Sequence, residues 1–372
     1  IMKNIDNNLT ILLTLKGREN FTYRWLEYSN NIKLPFRIYI ADGGENDDIS
    51  EFLSNQSKYP NLKIKYRRYP FDKDRKTYKK KLISSINEIE SKYMVFADND
   101  DFILINGIKD SLDYMEKNKE CSCAIGRIGF VRVGSIDTED DEYIYYGNNN
   151  TYWLPNSLGI NANTALDRFK LFLHNYSQTT SYSSYYYGIN RTKHIKEVFR
   201  KTLELNLNDI FLDELLVSGL VAINGNIKSD DYLYLIRQRN TEQSSATTFT
   251  KKFGNEFDRV FLETWSNDLS LFIKTISESI VKNDDLEISN VENHVLDAYK
   301  QYIAPLIFNR LQKQYNLSKL EKNSSRIIRF FNRFNNAPRK KFERINLTGY
   351  QDILNPIESV LTKGYSYLKK RK

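Results

Sequence analysis

Two cysteines and three histidines in 372 residues leave little room for chemistry built on sulfur or imidazole. Cys121 and Cys123 stand one residue apart on an expected strand, which is poor geometry for a bond between them. With no histidine nearby they also make a poor zinc site. A disulfide scaffold is thereby excluded, and a reduced, cytoplasmic protein is the expectation. His174, His194 and His294 are scattered along the chain and read as structural. No apolar run approaches 18 residues, and the first one, Leu9–Leu15, is too short for a signal segment. Neither a membrane-spanning helix nor a leader is expected. Internal repeats are missing as well.

What is present is ordinary in bulk and informative in pattern. Apolar residues make up 40% and charged residues 27%, with 26 Tyr and 21 Phe to fill a ring-rich core. Lys and Arg number 55 against 47 Asp and Glu, a net charge of +8 that favours nucleotide diphosphates, acidic glycans or lipid headgroups as partners. The first 135 residues alternate between two periods. Short apolar runs at 9–15, 36–41, 62–66, 93–97 and 124–133 read as strands. Helical stretches fall at 19–31, 48–55 and 107–118, with another through Leu82, Ile83, Ile86 and Ile89, which form one apolar stripe. Strands separated by helices indicate βαβ units in an α/β sheet, and ligands bind such sheets beyond the carboxyl ends of the strands. That rule selects residues 16–18, 42–44 and 98–101. A loop-rich, acidic and then Asn/Tyr-rich flap follows at 134–158. Helices are expected at 165–176, 192–203 and 207–223, with strands at 185–190 and 232–237. Beyond residue 250 the pattern is wholly helical, clearest at 253–281 and 291–315.

The strongest chemical signal is Val95-Phe96-Ala97-Asp98-Asn99-Asp100-Asp101-Phe102, an apolar strand that delivers several carboxylates to one point. A hard cation such as Mg²⁺ or Mn²⁺ takes oxygen ligands of this kind. The bland alternative is a solvated acidic turn in which Asp101 caps the next helix. At residues 72–81 many cations crowd a helix start, where they oppose the helix dipole and an anion would offset them. Arg75 and one of Lys79 to Lys81, Lys81 among them, are therefore candidate contacts to a diphosphate, against a solvated basic face. Asp213 and Glu214 open an amphipathic helix, either for chemistry or as favourable charge at its N-terminus. The rings of 182–187 suit core packing better than stacking on a sugar. The basic, ring-bearing segment 326–334 suits either packing on the rest of the chain or a second subunit, or an anionic membrane surface.

The order of strand, basic loop, strand ending in Asp-Gly, basic helix, and strand ending in D-x-D resembles the GT-A nucleotide-diphospho-sugar transferase fold. It is most similar to bacterial family-2-like glycosyltransferases that carry D-D-D-F after the fourth strand; here the motif reads Asp98-Asn99-Asp100-Asp101-Phe102. The resemblance covers about residues 8–240. It implies a Rossmann-like, mostly parallel sheet flanked by helices, with a catalytic domain at 1–250 and a helical C-terminal domain at 251–372. Within the first, 1–135 would be the nucleotide-binding half and 136–250 the acceptor-binding half.

By the same resemblance Thr14, Leu15, Lys16 and Arg18 would line the nucleotide pocket, and Asp42 would accept from base or ribose. Asp98 would face the ribose, base or metal with Asn99 beside it, and Asp100 and Asp101 would hold Mn²⁺ or Mg²⁺. Asp213, with Glu214 as its competitor, would deprotonate the acceptor in an inverting transfer. Arg237 and Arg239 would end the domain near a loop that closes over the diphosphate. The implied donor is a nucleotide-diphosphate sugar and the implied acceptor a glycan or lipid-linked glycan in surface polysaccharide synthesis. The protein would be cytoplasmic or peripheral at the inner membrane face. A sugar nucleotidyltransferase is the enzymatic rival, weakened because only Lys16-Gly17-Arg18 stands where a longer glycine- and arginine-rich loop is expected. A non-catalytic scaffold of the same fold is the other rival. Nucleic acid is not an expected partner, for no recognition motif accompanies the basic tail.

Overall fold

The computed structural model describes residues 5–54, 58–132, 152–153, 159–178, 185–239, 251–254, 256–315 and 351–363. The expected flap at 134–158 falls outside these residues apart from β7 (Tyr152–Trp153), and the basic tail at 326–334 falls wholly outside.

One mixed sheet of nine strands organises the molecule. Its first half is parallel, in the order β3 (Lys63–Arg68), β2 (Arg37–Asp42), β1 (Leu9–Leu15), β4 (Tyr93–Ala97). β4 is buried at every position and β1 at all but one, so neither alternates between polar and apolar residues. Such strands are stable only with both faces covered. The cover comes from α1 (Glu19–Asn31), α2 (Asp48–Leu53), α3 (Arg75–Asn87) and α4 (Ile105–Lys117). The edge strand β3 alternates exposed with half-buried residues, and its exposed Lys63, Lys65 and Arg67 discourage pairing with another chain.

In the second half the order continues β4-β8-β6-β9-β5. The three-residue β8 (Ile189–Arg191) lies antiparallel between β4 and β6 (Cys121–Arg132), β9 (Asn226–Arg239) is parallel to β6, and β5 (Phe102–Ile103) is antiparallel to β9. The strand expected at 185–190 is instead a 3₁₀ turn, Tyr185–Tyr187, followed by β8. Ring packing decides this: Tyr185 is buried, and Tyr186 stacks on Phe96 with centroids 3.9 Å apart and planes 12° apart.

Helices α5 (Ala165–Gln178), α6 (Thr192–Leu205) and α7 (Ile210–Ile223) cover this half. The helix expected at 253–281 is broken into α8 (Glu256–Arg259) and α9 (Trp265–Asp284) by tight turns over residues 260–264, and Arg259 at the end of α8 pairs with Asp209. α9 packs on α7, and α10 (Ile288–Tyr315) packs on α5 and α9. Phe272 and Ile276 of α9, Val295 and Tyr299 of α10, Phe169 of α5 and Leu216 of α7 share one core. Asp284 ties the layers by accepting the Ala165 and Leu166 amides of α5 at 2.7 and 2.8 Å. α11 (Gln351–Lys363) lies against α1, with Ile357 and Val360 in a smaller cluster with Tyr28 and Phe102. Among the described residues no helix is long and apolar enough to cross a membrane. Both cysteines are free and buried on β6.

Candidate active site

At Ala97 the apolar strand β4 ends, and Asp98 to Asp101 form a tight turn closed by a 3.2 Å bond from the Asp101 amide to the Asp98 carbonyl. One oxygen from each of Asp98, Asp100 and Asp101 lies within 4.8 Å of the others. The helix that follows, α4, has Leu104 at its N-terminal cap position and no side-chain cap, so Asp101 does not cap it and the bland reading of this turn fails. Asp101 faces the sheet instead: its Oδ1 accepts the Gln238 amide at 3.3 Å, and Arg237 Nε lies 2.8 Å from its Oδ2. Asp98 Oδ2 accepts from Tyr187 Oη at 2.7 Å and from Arg237 at 3.0 Å. Arg18 sits 3.0 Å from Asp100 Oδ1 and donates to Asn99 Oδ1 at 2.6 Å.

The amide at position 99 has a local role. Its Nδ2 donates to Thr22 Oγ1 at 3.0 Å and to the Arg18 carbonyl at 3.3 Å, which staples the turn to α1. Arg18 is held at φ 59°, a left-handed backbone that costs a non-glycine residue about 1–2 kcal/mol. Strain kept at such a point marks a site that the surroundings enforce.

Burial pushes the carboxyls of Asp98 and Asp101 up; Arg237 opposes that rise and the neighbouring Asp100 adds to it. Asp101 Oδ2 is buried and lacks an aligned hydrogen bond. Oxygen donors only and three carboxylates crowded at one turn together fit a hard divalent cation.

Beside this turn the carboxyl ends of β1 and β2 build a floor. Asp42 Oδ1 accepts the Gly44 amide at 2.8 Å and lies 3.3 Å from Arg68, while its Oδ2 accepts Tyr66 Oη at 2.8 Å. The Gly43 amide donates to the Leu15 carbonyl at 3.0 Å, and the Asp72 amide to the Gly43 carbonyl at 2.9 Å. A Cβ at position 43 would fall 2.5 Å from Asp72 Cγ, so only glycine lets these loops meet. Lys81 lies beneath them at 1% exposure, paired with Asp72 and donating to the Leu15 carbonyl at 2.7 Å. Its ammonium is a pin under the loops and does not reach the cleft. Leu15 is buried and Thr14 half-buried, bonded to Tyr78; Lys16 is exposed over the Phe71 ring at 5.6 Å.

The start of α7 is fixed from several sides. Asp209 caps it, accepting the Phe211 and Leu212 amides at 2.9 Å each. Asp209 is in turn held by Arg259 at 2.7 Å, and Asp268 of α9 accepts the Asn208 and Asp209 amides at 2.8 Å each. Asp213, one turn on, is bound by Arg75 at 2.5 Å and Lys79 at 2.8 Å, both from α3. The anion that offsets the cations at the start of α3 is therefore the chain's own Asp213, aided by Asp74, which accepts the Thr77 amide at 2.8 Å. Glu214 reaches solvent and makes no ion pair among the described residues. Even so, protein crowds its carboxyl deeply enough that burial pushes it up to about 7. Arg75 opposes that rise, Asp213 adds to it, and the charges of Arg237 and Asp98 are also felt.

The residues singled out in the sequence thus fall into two groups. Arg18, Asp98, Asn99, Asp100, Asp101, Arg237 and Glu214 share one electrostatic neighbourhood; Lys81 and Asp213 are committed to internal pairs. Of the ring cluster, Tyr187 belongs to the site and Tyr185 and Tyr186 to the core. The side chain of Arg239 and the loop 240–248 lie outside the described residues. His194 is half-buried with its imidazole pushed down to about 4 by burial, remote in role from the turn at 98–101. Sequence reasoning missed the pairing of Lys79 with Asp213 and of Lys81 with Asp72, and it missed Arg259 and Asp268; these pairs span 9 to 134 positions. No local pattern announces them.

No family model matches the sequence, and no curated protein matches it either. Among solved structures, S. aureus TarS 1–349 is similar with a TM-score of 0.44 and 14% identity over 79% of this chain and 72% of that one. The same fragment in complex with UDP gives a TM-score of 0.45 and 13% identity over 80% of this chain and 72% of that one. Its complex with UDP-GlcNAc gives 0.44 and 14%, over 80% and 72%. Against the longer TarS structure, the matched region spans 43% of that chain.

Proposed function

We propose that this chain is a glycosyltransferase that moves a sugar from a nucleotide-diphosphate donor to a hydroxyl of a glycan or lipid-linked acceptor. One observation carries the reading: three carboxylates converge where β4 ends, and the charges of Asp98 and Arg237 there are felt by the carboxyl of Glu214. Asp98, Asp100 and Asp101 would hold Mn²⁺ or Mg²⁺, which supplies positive charge against a departing diphosphate. Lys16, Arg18 and the Asp42 floor line the approach to the nucleotide. Glu214 takes the proton of the acceptor hydroxyl, because a base poised near neutral pH suits that task. Asp213 has both carboxylate oxygens engaged by Arg75 and Lys79 and serves as the anchor of the helix. With Glu214 as base on the acceptor hydroxyl, the transfer would be a single inverting displacement. In this division of labour residues 1–250 do the chemistry, and the helices after 250 hold the base-bearing helix.

Calorimetric titration of a panel of nucleoside diphosphates, with and without Mn²⁺, tests the proposal. Binding that needs the metal, with one base preferred, is expected. A panel in which no nucleotide binds under either condition would end it.

A further inference from the structure

We infer that Arg237 is the resident counter-cation of the acidic triad, and that a divalent metal enters only by displacing its guanidinium. The inference rests on the metal reading above and adds a competitor to it. Arg237 spans two of the three carboxylates, with one nitrogen 3.0 Å from Asp98 Oδ2 and Nε 2.8 Å from Asp101 Oδ2. Arg18 neutralises the third from 3.0 Å. A metal that draws on Asp98 Oδ2 and Asp101 Oδ2 competes with Arg237 for the same oxygens, and two cations side by side there would repel each other.

The exchange involves a side chain and leaves the backbone in place. Arg237 sits in β9 opposite Phe130 of β6, and the adjacent Ile236 pairs with Phe102 of β5, so the main chain is held on both sides. The guanidinium also lies over the Tyr187 ring, its Cζ 4.4 Å from the centroid, and that face stays available once the carboxylates are taken. Arg18 is a different case. Its left-handed backbone and its bonds with Asn99 fix it, and it faces a single oxygen of Asp100. The triad is thus kept assembled without metal, and the metal binds more weakly than three carboxylates alone would allow.

Mn²⁺ alone, titrated calorimetrically into the full chain and into Arg237→Gln, reads this directly. The variant is expected to bind Mn²⁺ about tenfold more tightly. It should melt below the parent in chelator and gain more in melting temperature from Mn²⁺. Arg237→Lys cannot bridge both carboxylates and is expected between the two; it carries the comparison if the glutamine variant does not fold. Asp100→Asn should abolish the titration, which assigns it to the triad. Equal or weaker Mn²⁺ affinity in Arg237→Gln overturns the competition while leaving a metal site intact. Mn²⁺ binding that survives Asp100→Asn overturns it too, and a parent that binds no Mn²⁺ removes the metal reading along with it.

Discussion

Replacing Lys81 by methionine tests the pin beneath the loops that follow β1 and β2. Lys81 and Asp72 are 1% and 0% exposed, and the ammonium also serves the Leu15 carbonyl at 2.7 Å. Methionine keeps most of the stem and removes the charge, so the Asp72 carboxylate is left buried without a counter-ion. Its Oδ1 already lacks a hydrogen bond, whereas the Leu15 carbonyl keeps the Gly43 amide at 3.0 Å. Breaking a buried pair from one side costs about 3–5 kcal/mol. At a urea slope of about 3 kcal/mol per molar, the midpoint should fall by ~1–1.7 M with the slope unchanged.

The pair is held against its own burial, which pushes the Asp72 carboxyl up and the Lys81 ammonium down while each opposes the other's shift. In Lys81→Met that opposition is gone, so Asp72 rises further above its unfolded value. Stability tied to a raised carboxyl is lost as pH rises, and the deficit should be larger at pH 8 than at pH 5. Adding Asp72→Asn removes the second charge and should recover about 1–3 kcal/mol. A single variant that costs under about 1 kcal/mol, or a double variant whose losses simply add, would refute the reasoning.

Glu214→Gln should lower sugar transfer by about 10²–10⁴-fold while Mn²⁺-dependent nucleotide binding stays within about twofold. In the parent the rate should rise with pH through about 7, because burial raises this carboxyl against Arg75, and Asp213 and Asp98 raise it further; a flat profile would count against Glu214 as base. Asp268→Ala strips the acceptor from the part-buried amide of Asn208 and the buried amide of Asp209 and should cost about 1–3 kcal/mol in urea unfolding, with faster amide exchange at the first turn of α7. A loss under about 1 kcal/mol would mean that water replaces the carboxylate. His194 is pushed down to about 4, chiefly by burial and then by Lys193 and Arg191, so the stability tied to its neutral form is complete above its unfolded value near 6.5 and is lost as pH falls toward 4. Melting curves of His194→Gln should decline less than the parent's over that window; parallel declines would remove the assignment.

The parallel half of the sheet is legible because its strands are nearly unbroken apolar runs separated by striped helices, a pattern with one cheap solution. The same runs point to their own carboxyl ends, which is why Asp42 and the turn at 98–101 stand out before any coordinates are known. β5 is not legible: Phe102 and Ile103 are too few for any period, and their pairing with Leu235 and Ile236 spans more than 130 residues. β8 is equally hidden, since its three residues are placed between β4 and β6 by the packing of Tyr185 and Tyr186. The division of roles between Asp213 and Glu214 also escapes the sequence. Adjacent acids at a helix start look alike until Arg75 and Lys79 are seen to bind one of them. Lys81 misleads for a related reason: in a run of cations, burial alone separates the one that pins a loop from those that face water.

The grip of Arg259 and Asp268 on the first turn of α7 bears on how small this molecule can be made. A fragment trimmed where the sheet finishes, near residue 250, would keep every group of the candidate site in its sequence and still lose two of the side chains that set α7 in place. Two backbone amides would turn to solvent, Asp209 would part with its guanidinium neighbour, and Phe272 and Ile276 would no longer cover α7 and α5. The smallest fragment that keeps α7 in place is therefore longer than the sheet, and a shorter relative would have to supply its own carboxylate at that corner.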